Sequence, residues 1–319
     1  MADTADVLII GAGPAGLTAA LALARQQQSS IVFDEGTYRN DTVDHMHLIP
    51  GFDGTKPLEY REAARSNILS NYDQINVLQT RISDAKKDDS SGIFTLTDVA
   101  GKTWNGRKLI LANGVEDIFP PIEGYAECWG KAIFHCLFCK GYEQRDCSSA
   151  GVLAIGGLSK APMALHVARQ VTTLSKTVNI YTNGSEDLAK DIAAGFGTVA
   201  PMKVDTRKIQ RMTLQADGAG IHLQFEDGSS TTEGFLAHTP ATKPRGPFAT
   251  QLGLALRPNG DIEAGPPFYQ TSVKGAYAAG DSCGMMKNIP HAIFSGSLAG
   301  MGASQQIVAE NLGQTSLFG

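Results

Sequence analysis

Two apolar runs, Val7–Ile10 and Val152–Ile155, each break into glycines and lead into a segment of helical character. A short, continuously apolar run suits a strand buried on both faces, as in a parallel sheet. A strand, a glycine turn and a helix together begin a βαβ unit. The first beginning runs through Gly11–Gly16 into an Ala/Leu-rich helix ending near Gln27, with Ile31–Phe33 as the next strand. The second runs through Gly156–Gly157 into a helix reaching about Gln170, with Val178–Tyr181 as the next strand. The pattern predicts an α/β fold of two Rossmann-like dinucleotide-binding domains, and 319 residues suffice for both.

Prolines and glycines within Glu116–Gly124, and Pro240 followed by Thr242–Gly246, read as hinges. They insert the second domain, residues 117–244, into the first, residues 1–116 and 245–319. Helices are expected over Glu59–Asn71 and from about Ile289 to Glu310. A small β meander is expected within residues 76–111, including Ile93–Leu96 and Lys108–Leu111. The 27 basic and 32 acidic residues, a net charge of -5, argue against a nucleic-acid or anionic-membrane surface. Met1–Asp6 lacks the basic start of a signal peptide, and no run is long enough to span a bilayer. Five cysteines in so long a chain are not a disulfide framework. A soluble cytoplasmic enzyme is the expectation.

Gly11-Ala12-Gly13-Pro14-Ala15-Gly16 matches G-x-G-x-x-G in its required place, after a strand and before a helix. Gly11 permits the tight turn, Gly13 lets a pyrophosphate approach the backbone, and Gly16 allows close helix–strand packing. Asp34 and Glu35 end the second strand, where a carboxylate can bind a ribose hydroxyl. An ordinary glycine-rich turn is the competing reading. Ala112-Asn113-Gly114 follows the expected meander, and Tyr277-Ala278-Ala279-Gly280-Asp281 precedes the last helix. Asp281 can serve as a helix N-cap, as a cofactor ligand, or as both.

Cys136-Leu137-Phe138-Cys139 lies between the two glycine turns. A C-x-x-C that begins a helix can form a disulfide, and the helix N-terminus lowers the thiol pKa. A zinc half-site is the alternative, but it needs two more ligands, and neither a second C-x-x-C nor an H-x-x-x-H exists. A redox pair and no metal site are therefore expected. Cys128, Cys147 and Cys283 have no partner at this spacing and read as small buried hydrophobes.

These features together resemble low-molecular-weight thioredoxin reductase over essentially the whole chain. The resemblance implies FAD in the split domain, held by Gly11, Gly13, Pro14, Ala15, Gly16, Asp34, Glu35, Arg39, Asn40, His47, Ile82, Ala112, Gly280 and Asp281. It also implies that Cys139 faces the flavin and Cys136 the substrate. The chain departs from that family at three places. Leu158 stands where a nucleotide-binding turn would have glycine, so a branched side chain is expected to obstruct the pyrophosphate. Thr182–Asp187 holds two acids and no base where an arginine-rich stretch would bind a 2′-phosphate. Lys140, not Asp, follows the second cysteine. NADPH is accordingly not expected to bind, with a degenerate but working site as the alternative.

The sequence C-x-x-C-x-Gly-Tyr-Glu, the altered second turn and His291 in Pro-His-Ala resemble the dithiol oxidases of gliotoxin and holomycin biosynthesis. That resemblance implies a homodimeric flavoprotein that closes a disulfide in a small natural-product dithiol and passes electrons to O2, releasing hydrogen peroxide. A histidine base suits thiol chemistry near neutral pH. His291 is the first candidate and His135 the second, each with a plain structural role as its alternative; His45 and His47 rank lower. The competing functions are a reductase of protein disulfides with a donor other than NADPH, and a non-catalytic flavin redox sensor.

Overall fold

In β1 (Ala5–Ile10), Val7, Leu8 and Ile9 are wholly excluded from solvent, as an interior strand requires. The computed structural model describes residues 4–197, 201–216, 218 and 220–317. The chain divides into two compact units, Met1–Glu116 with Thr242–Gly319, and Asp117–Ala241.

In the first unit, α1 (Pro14–Ala24) starts on Pro14, whose missing N–H costs nothing at a helix start. β2 (Ser30–Asp34), α2 (Pro57–Asn71), β3 (Ile75–Gln79), β4 (Ile82–Lys87), β5 (Phe94–Asp98) and β6 (Thr103–Leu111) follow. The sheet runs β3-β2-β1-β6-β5-β4, and the strand Ala276–Ala278 also pairs with β6. β3, β2, β1 and β6 are parallel; β5 and β4 are antiparallel. β6 has two partners on one edge: residues 103–106 pair with β5, and residues 109–111 with Ala276–Ala278. The expected meander is therefore shorter than residues 76–111. Ile75–Gln79 instead belongs to the parallel sheet beside β2, and the apolar end of β6 pairs with β1. A run of alternating residues carries no mark of its partner, and burial against β2 decided it.

The C-terminal helix, Ile289–Asn311, lies on α1. Gly296 and Gly300 make this approach possible, since a Cβ on either would press into the backbone of Ala15 or Ala19. Leu8, Leu17 and Leu23 are buried in this core, each contributing roughly 1.5–3 kcal/mol.

The second unit contains a five-stranded parallel sheet. Its order is Met202–Asp205, Val178–Tyr181, Ala150–Leu153, Leu236–Ala237, Ile133–Phe134. A separate three-stranded antiparallel sheet is formed by Ile209–Leu214, Ile221–Phe225 and Ser230–Glu233. Among the described residues, no helix is long and apolar enough to cross a membrane.

Candidate flavin and dithiol sites

The glycines of the first turn have different structural tasks. Gly11 has φ +105°, and a Cβ there would overlap the Ala112 carbonyl; a Cβ on Gly16 would overlap the Gly11 carbonyl. Both are required by packing. Gly13 has φ −73°, which any residue adopts, and a Cβ there would meet only the Tyr38 ring at 3.9 Å. Its smallness therefore leaves room for something other than protein. No side chain caps α1, so the first-turn N–H groups face that same space.

Asp34 is buried at the end of β2. The Tyr38 hydroxyl lies 2.6 and 2.7 Å from its two oxygens, the Gly36 N–H donates at 2.9 Å, and Arg65 forms an ion pair. Burial and this carboxylate push the Tyr38 phenol far above its usual range, so it remains a donor. Glu35 is exposed and pairs with Arg245 at 3.2 Å. Arg39 pairs with Asp281 at 3.0 Å, and Asn40 accepts from Arg61 at 3.3 Å. His47 lies 3.3 Å from Asp53. The Ile82 side chain is buried in the core, and Ala112 lies against Gly11. Asn113 donates to the Arg245 carbonyl, and its buried Oδ1 has no hydrogen-bond partner.

At the other end of this unit, a Cβ on Gly280 would lie 3.1 Å from the Ala15 Cβ. The Gly280 N–H donates to Ser295 Oγ at 2.9 Å, which donates to the His291 carbonyl at 2.6 Å. Ala15, Gly280 and the His291 turn are thus one packed group. The Lys287 ammonium donates to the Asp281 carbonyl at 2.8 Å and pairs with buried Asp261 at 2.9 Å. Open space over Gly13, an uncapped helix N-terminus and the orphaned Asn113 Oδ1 fit a pyrophosphate-bearing flavin nucleotide. Tyr38, Arg61, Arg65 and Lys287 carry no sequence motif; only the fold brings them here.

In the second unit, Cys136 and Cys139 form a disulfide with Cα atoms 5.2 Å apart. Cys136 is the N-cap residue of a one-turn helix, Leu137–Lys140, and both cysteines are half-buried. Leu137 is buried, while Phe138 between the two sulfurs is 71% exposed. His135 stacks on Trp129 at 5.9 Å, and the Lys140 ammonium donates to the Gly130 carbonyl at 2.8 Å. Of the remaining cysteines, Cys128 and Cys283 are buried, which makes them poor nucleophiles, whereas Cys147 is only half-buried, short of the burial its sequence suggested. Burial pushes the Cys283 thiol up to about 12 and raises that of Cys128. Cys147 Sγ lies 3.7 Å from the Leu174 carbonyl. Among the described residues, no cluster of three or more His, Cys, Asp or Glu side chains could hold a metal.

The second glycine turn differs from the sequence expectation. Leu158 does not project into nucleotide space; it is 1% exposed and packs in the core. Gly156–Leu158 forms a turn of 3-10 helix that swings the leucine inward, and the α-helix begins only at Ala161. The helix N-terminus therefore starts five residues after the first glycine, against three at Gly11. Nor is the edge beyond Tyr181 wholly without bases. Thr182 and Gly184 donate backbone N–H groups to Asp205 and Thr206, and a Cβ on Gly184 would lie 2.9 Å from Lys208. Arg207 is engaged with Asp205 and Ser229. Glu186 and Asp187 occupy the first turn of a helix that Ser185 caps, where acids are stabilising.

His238 fills the turn from beneath. Its Nδ1 lies 2.6 Å from the Tyr125 hydroxyl and its Nε2 3.3 Å from the Ile155 carbonyl. Burial lowers its pKa to about 4. The unfolded chain therefore takes up a proton near pH 6.5 that the folded one refuses until about pH 4. Stability present above pH 6.5 is lost as pH falls through this window, by about 3 kcal/mol in full. Thermal unfolding between pH 7 and 4.5 should show this loss, and His238→Gln should flatten it; an unchanged slope would remove His238 as the cause.

The chain matches the family described as pyridine nucleotide-disulphide oxidoreductase over residues 5–296. It is 55% identical to thioredoxin reductase tcpT of Claviceps purpurea, covering 98% of this chain and 97% of that protein. It is 42% identical to thioredoxin reductase aclD of Aspergillus oryzae, over 95% and 96% of the two chains. The crystal structure of an oxidoreductase from Agrobacterium tumefaciens superposes with a TM-score of 0.85 at 32% identity, over 96% and 99%. By fold, dithiol and relatives, the chain belongs to the pyridine nucleotide-disulphide oxidoreductase family and is a thioredoxin-reductase-like, FAD-binding disulfide oxidoreductase.

Proposed function

We propose that this protein is a dithiol oxidase acting on a small molecule, with O2 as final acceptor and without need of NADPH. The observation that carries the reading is the second glycine turn, where a 3-10 turn moves the helix start away from the glycines that a nucleotide pyrophosphate would approach. A substrate thiolate attacks Cys136 Sγ, the Cys136–Cys139 bond breaks, and Cys139 leaves as a thiolate. The second substrate thiol, after losing its proton, attacks the mixed disulfide; the product disulfide forms and Cys136 is released reduced. FAD, when bound, supplies the two-electron acceptor that returns the pair to its disulfide and delivers the electrons to oxygen. The balance is one dithiol and one O2 giving one cyclic disulfide and one hydrogen peroxide.

The site roles belong to the same proposal: Gly11 to Gly16, Asp34, Glu35, Arg39, Asn40, His47, the Ile82 backbone, Ala112, Gly280 and Asp281 for the flavin, His291 and then His135 for proton transfer. We also propose a homodimer. Phe294, Met301 and Val308 recur every seven residues on the C-terminal helix and are exposed, an apolar stripe suited to a second copy. Light scattering that gives one chain's mass would remove this part.

The test is anaerobic titration of the flavin absorbance. NADPH at saturating concentration should leave it unchanged; a small dithiol should bleach it, and air should restore it with peroxide release. Rapid bleaching by NADPH would overturn the reading. It would favour a second one, reduction of a protein disulfide, which the names of the relatives and the placement of Lys208 beside Gly184 support.

A further inference from the structure

The helical backbone at the dithiol is longer than its one turn. Leu137–Lys140 passes through Gly141, whose angles are helical at φ −71° and ψ −31°, into a 3-10 turn at Tyr142–Gln144. Residues four apart therefore share a face. One face is turned inward. Leu137 and Gly141 are buried, and a Cβ on Gly141 would lie 2.5 Å from the Leu137 carbonyl oxygen and 2.6 Å from Leu174 Cδ1. The segment is thus pressed against Leu174, and its opposite face is turned out. That face carries Phe138 and Tyr142, which are 71% and 66% exposed.

Large aromatic side chains usually bury their rings, and two on one exposed face beside a reactive disulfide mark a binding surface. The Tyr142 ring is held in place. The Arg145 guanidinium lies over it, 4.0 Å from its centroid, and donates to the Tyr142 carbonyl at 2.9 Å. Phe138 stands between the two half-buried cysteines. All of these residues belong to the second unit, Asp117–Ala241.

A molecule bonded to Cys136 Sγ is tethered at the edge of this face. We propose that Phe138 and Tyr142 are specificity-determining residues, which receive an apolar ring carried by the small-molecule dithiol as one of its sulfurs reaches Cys136. The proposal rests on the dithiol-oxidase reading and names the substrate class that the site prefers: a compact, uncharged dithiol with a planar ring beside its thiols. Size favours that occupant over a protein. Two aromatic side chains offer at most about 300–500 Å² of surface, against about 800 Å² that each partner gives to a stable protein interface. Chemistry favours it as well. The Phe138 ring neither donates nor accepts a hydrogen bond, so a dithiol that carries hydroxyls gains nothing by covering it. The bond chemistry is unchanged: the substrate thiolate bonds to Cys136 Sγ, the Cys136–Cys139 bond breaks, and Cys139 leaves with the electron pair. The ring contact stabilises the encounter that precedes this step.

Two experiments test the proposal. The first compares 1,2-benzenedimethanethiol with dithiothreitol; both close a six-membered cyclic disulfide, but one carries a benzene ring and the other two hydroxyls. The wild-type enzyme should have the higher kcat/KM with the benzene dithiol, and Phe138→Ala should cut that preference by about 10-fold or more, chiefly through KM. Phe138→Trp should keep it. The second experiment needs no flavin turnover. FAD-loaded Cys139→Ser protein is exposed to an equimolar mixture of benzyl and 2-hydroxyethyl methanethiosulfonate, and the adducts on Cys136 are measured by peptide mass spectrometry. The benzyl adduct should predominate over its share on a free cysteine peptide, and adding Phe138→Ala should return it to that share. Labelling at the peptide's proportions in the Cys139→Ser protein would overturn the proposal. So would a preference that Phe138→Ala leaves intact in either experiment. Both side chains are exposed, so their substitution leaves the core untouched; should Phe138→Ala fail to fold, Tyr142→Ala is read in the same way. A benzyl preference on Cys136 without any dithiol oxidation would remove the oxidase reading and keep the aromatic platform, so the two failures are distinct.

Discussion

Gly13→Val is expected to give folded but colourless protein. The backbone angle at Gly13 is open to any residue, and the added Cβ would touch only the Tyr38 ring at 3.9 Å. The protein interior is therefore undisturbed. The added branch would instead occupy the space above the α1 N-terminus, where the pyrophosphate must meet the backbone. Losing about two charge-assisted contacts, at roughly 1.5–3 kcal/mol each, weakens FAD binding by 100-fold or more. Far-UV circular dichroism should match wild type while the flavin-to-protein absorbance ratio falls towards zero. Gly16→Val should behave differently and fail to fold, because its Cβ would press into the Gly11 carbonyl. A yellow Gly13→Val protein with full flavin would move the cofactor away from this turn.

Cys136→Ser and Cys139→Ser should each lower dithiol oxidation by roughly 10^3-fold or more, since each removes one sulfur of the covalent relay. Their trapped species should differ. With Cys139 replaced, Cys136 retains a thiol that exchanges with an acyclic disulfide of a small monothiol and holds one half of it, because neither Cys139 nor a second thiol on the same molecule is there to expel it. Mass spectrometry under non-reducing conditions should find that adduct on Cys136. With Cys136 replaced, Cys139 should carry little adduct. The reverse pattern would exchange the assigned roles. Cys283 does not substitute for either, since burial keeps its thiol protonated.

Much of the fold is legible in local sequence. Val7–Ile10 before Gly11, and Val152–Ile155 before Gly156, mark strand ends by composition and turn chemistry, and both strands form at nearly those residues. The cofactor class is legible for the same reason: a strand, three spaced glycines and a helix lie within twenty residues, so one local conformation contains most of the proposed phosphate site. The dithiol is legible because its two sulfurs are three residues apart, within reach of a single helical turn.

Sequence-distant contacts were not legible. Leu158 looked like an obstruction because a linear pattern shows a side chain's position but not its direction, and the 3-10 turn directs it into the core. The segment after Tyr181 looked bare of bases because Lys208 comes from a later connection, just before the strand Ile209–Leu214. Asp34 was visible as an acid at a strand end, but not its burial beneath Tyr38 and Arg65. Tyr269 gave no signal at all: nothing local distinguishes a tyrosine 22 residues before a histidine, until two elements pack and set its hydroxyl against His291 Nε2. Periodicity, turns and close-spaced pairs are properties of neighbouring residues and are fixed by the sequence alone. Side-chain direction, burial and hydrogen-bond partnership depend on which distant elements pack together, and for this protein only the tertiary structure decided them.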